Sequence, residues 1–401
     1  MTPARVLVTD AGRGSALAVV RALGRAGHTV VTADTTARTV GGASRYARAH
    51  GTYPAPEVDG VAATAEGIVA LAAEHAVDVV VPVTDDTIVP LLATGAVLPD
   101  GCVLATADPI AVDRAGSKVE TVHLARSLDV PVPDHEVVDD PAGARGCTAR
   151  LGTPVVVKPD RSRVVDAAGR LRRGSVSYAW SDDEAARAVA AAGQRVLLQR
   201  HHPGVGVGLG LVLDHGRPVA LVQHRRIHEV PVSGGASSRR ETVALDDDLV
   251  GPALALFAAL GWTGAAMAEF KVGPDGPALM ELNGRLWGSL PLAVRAGCDI
   301  PGHLLAVHRG TGLPVAPDTG YEIGVRARNL DLELVWIGSV LARGRRSSSL
   351  VEVSRRDGVA AAVDLLRPGQ GEDLLAGDDR RPLAVGVRHA LGHAARKVVQ
   401  R

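Results

Sequence analysis

From Gly264 the chain reads GAAMAEFKVGPDGPALMELNGR, and its acids are the residues best spaced for chemistry. Two apolar runs flank Gly273-Pro274-Asp275-Gly276-Pro277, a turn composition that predicts a β-hairpin. A hairpin centred on Asp275 sets Glu269 opposite Glu281, and strand alternation puts Asn283 on the same face. Facing carboxylates repel each other, and lodging them among apolar residues costs more still. A divalent cation between them removes the conflict. Oxygen donors at this density suit Mg2+, with Mn2+ as the other fitting ion, and magnesium also binds substrate phosphates. Arg285 follows on the same side, where its fork can meet a phosphate oxygen. The competing reading is an exposed hairpin with two unrelated glutamates.

Other residues carry weaker signals. Lys118 opens a helix-like segment and Lys158 ends a strand-like one, and both offer a compact charge to a phosphate. Lysine is rare: Lys118, Lys158, Lys271 and Lys397 stand against forty arginines. In Gln223-His224-Arg225-Arg226-Ile227-His228-Glu229, alternation groups His224, Arg226 and His228 on one face, with Arg226 able to grip a carboxylate. Asp10-Ala11-Gly12-Arg13-Gly14, with Asp34 ending the next strand, outlines a dinucleotide site and hence a nicotinamide-dependent oxidoreductase. Leu17 stands where its third glycine belongs, so that pattern is incomplete. The run Gly204 to Gly210 leads into a strand, lacks a helix N-terminus for phosphate, and reads as a strand turn. His389 and His393, four apart, read as a surface face rather than a metal pair.

Elements must position these groups. Strand and helix alternate over the first 115 residues: Arg5 to Thr9, a helix through Leu17 to Ala26 stopped by Gly27, Thr29 to Ala33, a helix over 61–76, Val77 to Val83, then Cys102 to Thr106. That order predicts a parallel sheet covered on both faces. Gly116 to Leu128 and Ser181 to Ala192 read as helices, the second capped by Ser181. Residues 160–175, rich in arginine, read as a mobile loop. Strands dominate from Arg195 to Asn283, interrupted by a helix over Asp248 to Leu260. Beyond 311 the pattern fades into a loop over Leu365 to Gly377 and a basic helix over Val385 to Val399.

Glu281-Leu282-Asn283-Gly284-Arg285, with Glu269 on the neighbouring strand, resembles the metal-binding strand pair of the ATP-grasp superfamily. Ser117-Lys118-Val119-Glu120-Thr121 and Pro154 to Pro159 are similar to its lysine segments, and Val196 to Gly204 to its adenine-lining hinge. Gln223 to Glu229 resembles the substrate side of its carboligase-like branch. The resemblance implies an α/β chain: a Rossmann-like domain over 1–115, a lid-side subdomain over 116–195, a core subdomain with the hairpin over 196–310, and an extension over 311–401. It implies ATP and Mg2+ as cofactors. Lys118, Lys158, Gln199, Arg200, His201 and His202 would contact the nucleotide, Glu269, Glu281 and Asn283 the metal, and Arg285 and Arg226 would be catalytic. Glycines stand where many relatives keep a ribose-binding acid. The implied activity is a carboxylate-amine ligase acting through an acyl phosphate. An ester- or thioester-forming ligase and a catalytically silent nucleotide binder are the alternatives.

Composition narrows the partners. Basic and acidic residues balance at 44 each, and aromatics make up 2%. This argues against nucleic acid, which needs positive charge and stacking platforms. No apolar run approaches a membrane span, and the three scattered cysteines suggest neither zinc nor disulfides. The expectation is a cytoplasmic enzyme of small-molecule carboxylate and amine substrates, with a homodimer conceivable.

Overall fold

The first apolar run forms β1 (Arg5–Val8), buried beyond its first residue. The computed structural model describes residues 2–342, 350, 353–367 and 370–388. After β1 come α1 (Gly14–Arg25), β2 (Thr29–Asp34), β3 (Ala47–Thr52), α2 (Val61–Glu74), β4 (Val79–Val81), α3 (Asp85–Ala93) and β5 (Val103–Leu104). The strands make a five-stranded parallel sheet in the order β3-β2-β1-β4-β5. The chain steps from β1 outward to β2 and β3, then crosses back to β4 on the other side of β1, so a crevice opens at the carboxyl ends of β1 and β4. Asp10 knits its floor: the carboxylate accepts from the Thr84 amide at 2.9 Å and the Thr87 hydroxyl at 2.8 Å. The sequence reading missed β3, whose half-exposed Ala47-Arg48-Ala49-His50-Gly51-Thr52 shows no apolar alternation. It also missed α3, which Thr84 caps and Asp85 and Asp86 open.

Next come α4 (Pro109–Gly116), α5 (Lys118–Ser127), β6 (His135–Val138), the short α6 (Cys147–Leu151), β7 (Val155–Pro159), β8 (Arg163–Val165), β9 (Leu171–Arg173), β10 (Ser177–Ala179), α7 (Asp182–Ala192) and β11 (Val196–Arg200). A four-stranded antiparallel sheet runs β10-β7-β11-β6, with α7 packed on it through Ala185 and Val189. Ser181 caps α7, accepting from the Glu184 amide. The expected mobile loop over 160–175 is instead the hairpin β8-β9. Its arginines meet acids of the first sheet's lobe: Arg163 pairs with Asp86 at 2.6 Å, and Arg173 with Glu57 at 2.6 Å and Asp86 at 2.7 Å. The Val61 amide donates to Gly169 and the Leu171 amide to Pro56. Those partners lie about a hundred residues upstream, so the local sequence gives no sign of them.

The third body contains β12 (Val205–Asp214), β13 (Arg217–Val230), β14 (Ala236–Val243), α8 (Asp247–Ala259), β15 (Gly264–Gly273), β16 (Gly276–Asn283), α9 (Leu290–Arg295), α10 (Ile300–Arg309), β17 (Arg326–Arg328), α11 (Leu330–Ala342), α12 (Arg355–Asp364) and β18 (Gly371–Glu372). Its seven-stranded sheet runs β16-β15-β12-β13-β14-β17-β18. The glycine run is not a turn but the first half of β12. Close approach explains it: a Cβ at Gly208 would lie 2.4 Å from His224, and one at Gly210 would lie 2.2 Å from Trp287. The stretch 365–377, expected as loop, adds β18 to this sheet. A helix occupies 381–388. The rest of the expected basic helix, with His389 and His393, lies outside the described residues.

One hydrophobic cluster joins Val6, Val8 and Leu23 of the first lobe to Trp287, Leu290, Ile300 and Leu304 of the third. Charge ties them as well: Arg21 of α1 reaches Asp379 at 2.9 Å, and Arg240 of β14 pairs with Asp373 at 2.6 Å, both pairs nearly sealed from water. Among the described residues, no helix is long and apolar enough to cross a membrane.

Candidate active site

The hairpin β15-β16 reaches the expected pairing by an unexpected route. Its loop is tighter than a turn centred on Asp275, since Gly273 pairs with Gly276 and Phe270 with Leu279. A register shift at Met280 then restores Glu269 opposite Glu281 and Met267 opposite Asn283. Without that extra residue, Glu281 would point to the other face. The Asn283 amide donates to Glu269 Oε1 at 3.0 Å and to Glu281 Oε1 at 3.3 Å. Both carboxylates thus converge on one point, where two carboxylates and an amide form an oxygen-rich cluster suited to a hard cation.

Cations crowd this point. Burial pushes the Glu281 carboxyl up, but Lys118, Lys158 and Arg226 outweigh it and hold it below the usual range. Burial holds Glu269 above that range; Arg226 opposes this and Glu281 adds repulsion. Arg226 of β13 pairs with Glu269 and with Glu229, the latter at 3.0 Å, and donates to the Gly235 carbonyl at 3.0 Å. Its buried Nε has no hydrogen-bond partner among the described residues. Arg285 donates to Asp85 at 2.9 Å and to Asn283 Oδ1 at 3.3 Å, linking the hairpin to α3. Lys158, pushed down to about 8 by burial, donates to the bulged Met280 carbonyl at 3.4 Å. Lys118 donates to Ser162 at 2.9 Å.

These groups, Lys118 apart, line a cleft of about 570 Å³ between the four-stranded and seven-stranded sheets. A neighbouring cavity of about 490 Å³ shares Asp85, Arg163, Glu281, Asn283 and Arg285 with it and holds Lys118. At the hinge end, buried Gln199 keeps an Nε2 with no hydrogen-bond partner among the described residues, a donor waiting for an acceptor. Arg200 turns its side chain to Asp134 at 3.0 Å. His201 lies edge-on to Tyr178, and burial pushes it down to about 4, so it is neutral at pH 7. His202 contacts the Gly276 carbonyl at 3.2 Å and braces the hairpin turn. The sequence reading missed Tyr178, Glu229 and Lys271, which also line the cleft. Lys271 had a legible signal, standing two residues after Glu269 on the same strand face.

One expectation needs correction. His224, Arg226 and His228 do not share one face, because β13 shifts register on both sides of His228. His228 instead stacks on Trp336 at 3.6 Å and meets Glu333 at 2.7 Å, leaving Glu229 beside Arg226. Asp34, which closes the incomplete dinucleotide pattern, accepts from the Gly12 amide at 2.8 Å and the Thr36 amide at 3.2 Å.

Solved structures share this fold. Biotin carboxylase from Campylobacter jejuni superposes with a TM-score of 0.61 at 17% identity, covering 80% of this chain and 74% of that one. An N5-carboxyaminoimidazole ribonucleotide synthetase gives 0.63 at 13% identity, covering 91% and 97%. An L-amino acid ligase from Bacillus licheniformis gives 0.55 at 16% identity, covering 76% and 74%. At these identities the likeness is one of fold, and the chain has the ATP-grasp fold. More particularly, residues 192–329 match a family described as ATP-grasp in the biosynthetic pathway with Ter operon. No curated protein matches the chain.

Proposed function

We propose that this protein is an ATP-dependent ligase that activates a small carboxylate, such as an amino acid, as its acyl phosphate and couples it to an amine. The observation that carries this reading is the convergence of Glu269 and Glu281 on Asn283, ringed by Lys118, Lys158 and Arg285. Two buried carboxylates are held together there at an electrostatic cost that a cation would remove. Similar folds were solved with an ATP analogue, with ADP and with MgADP.

Glu269, Glu281 and Asn283 would hold magnesium, which when bound neutralises charge on the terminal phosphates. Lys158 and Lys118 add compact positive charge beside them. Gln199 and the main chain of Arg200 to His202 would receive the adenine. A substrate carboxylate oxygen attacks the γ-phosphorus and ADP departs. Arg285 would stabilise charge on the moving phosphoryl group. Arg226, with its uncommitted Nε, would orient the carboxylate. An amine then attacks the acyl carbon and phosphate leaves, completing the amide.

Incubation with ATP, magnesium and pooled amino acids tests this proposal. ADP release is expected to require both magnesium and a carboxylate, and hydroxylamine should trap the activated acid as a hydroxamate. Glu281→Gln is expected to abolish turnover with an unchanged melting temperature. ATP binding without turnover under any carboxylate would leave a silent nucleotide binder, and NADH binding would favour an oxidoreductase.

A further inference from the structure

Lys271 is a cleft residue that the proposed reaction leaves without a task. It sits on β15, opposite Gly206 of β12 and Ala278 of β16, on the face that carries Glu269. It lines the cleft, and its Nζ lies beside Gly234. Among the described residues it makes no hydrogen bond or ion pair; Glu229 is the nearby acid that its charge feels. Burial pushes its pKa below the ordinary lysine value. A partly desolvated ammonium with three N–H groups to satisfy favours a polar acceptor.

Position along the strand says which acceptor. The acidic end of the cleft is at Glu269, Glu281 and Asn283. The hinge end is near the hairpin turn, because His202 touches Gly276 there. Lys271 lies one pleat beyond Glu269 toward that turn, between the phosphate end and the hinge end. In a nucleotide the ribose lies between base and phosphates. Gly206 and Gly208, on the facing strand, offer no side chain to hold it.

We propose that the Lys271 ammonium donates hydrogen bonds to the ribose hydroxyls of the bound nucleotide, a task the glycines of β12 cannot perform. This assignment rests on the nucleotide reading above. It predicts discrimination by sugar, since a hydrogen bond to a charged donor is lost when its acceptor is removed.

Calorimetric titration of the full chain with magnesium and ADP, 2′-deoxy-ADP or 3′-deoxy-ADP tests it without turnover. The wild type is expected to bind ADP about tenfold more tightly than at least one deoxy analogue. Lys271→Met is expected to bind ADP about tenfold more weakly and to bind all three nucleotides alike. Lys271→Gln, which keeps a donor, should recover part of the discrimination. Matching melting temperatures would show that both variants fold, and the Gln variant carries the comparison if the Met variant does not. Wild-type ADP affinity in Lys271→Met would overturn the assignment. An equal loss for all three nucleotides would also overturn it, because that marks a phosphate contact. No binding of ADP by the wild type would overturn the nucleotide reading and this assignment with it.

Discussion

Single residues in this cleft are held by charges drawn from separate parts of the chain. Arg285 is the clearest case. Its guanidinium spans Asp85 of α3 and Asn283 of the hairpin, a geometry that needs a planar fork rather than a point charge. Arg285→Lys keeps the charge and removes the fork. Turnover is expected to fall about a hundredfold, the cost of losing one well-placed charge-stabilising donor, while calorimetric ADP affinity stays near wild type. An unchanged turnover would remove Arg285 from the reaction.

At the scale of elements, the site depends on departures from regular strands. The bulge at Met280 turns Glu281 inward, and the shifts in β13 turn Glu229 inward and His228 outward. The glycines of β12 make room for the side chains stacked against them. Gly210→Ala would set a Cβ 2.2 Å from Trp287 Cζ2, so it is expected to destabilise by about 1–3 kcal/mol in urea unfolding. Gly338, exposed inside α11 and not followed by proline, has nothing within 4 Å of where a Cβ would stand. Gly338→Ala is therefore expected to stabilise by about 0.5–1 kcal/mol in the same assay. The opposite signs separate glycine kept for space from glycine merely tolerated.

At the scale of the molecule, residues 370–379 strap the first lobe to the seven-stranded sheet. Arg21 and Arg240 reach into this segment from opposite sides, and Arg295 donates to the Glu372 carbonyl at 3.0 Å. Glu372 itself is pushed up to about 7 by burial and by neighbouring Asp373. A carboxyl raised above its ordinary 4.5 contributes stability below that pH and loses the contribution as pH rises through about 7. Glu372→Gln is expected to flatten the fall in melting temperature between pH 5 and 8. At pH 8 it should stabilise by on the order of 2 kcal/mol. A wild-type pH profile in that variant would show that Glu372 ionises freely.

Local pattern determined much of this molecule. The alternation of apolar strands and helices in the first lobe, the Ser181 cap and the turn at Gly273 to Gly276 all follow from neighbours in the chain, because backbone preference and periodicity act over a few residues. The acid pair was legible for the same reason, as both residues belong to one hairpin. Tertiary structure alone decided the rest. Whether the arginines of 160–175 stay loose or dock on Asp86 and Glu57 depends on acids far away in sequence. Whether His228 or Glu229 faces the cleft depends on a register set across β13 and β14. Whether the segment past 365 is loop or strap depends on buried partners at Arg21 and Arg240. Long-range charge pairing and strand register leave no periodic trace in a sequence, so only the folded chain shows them.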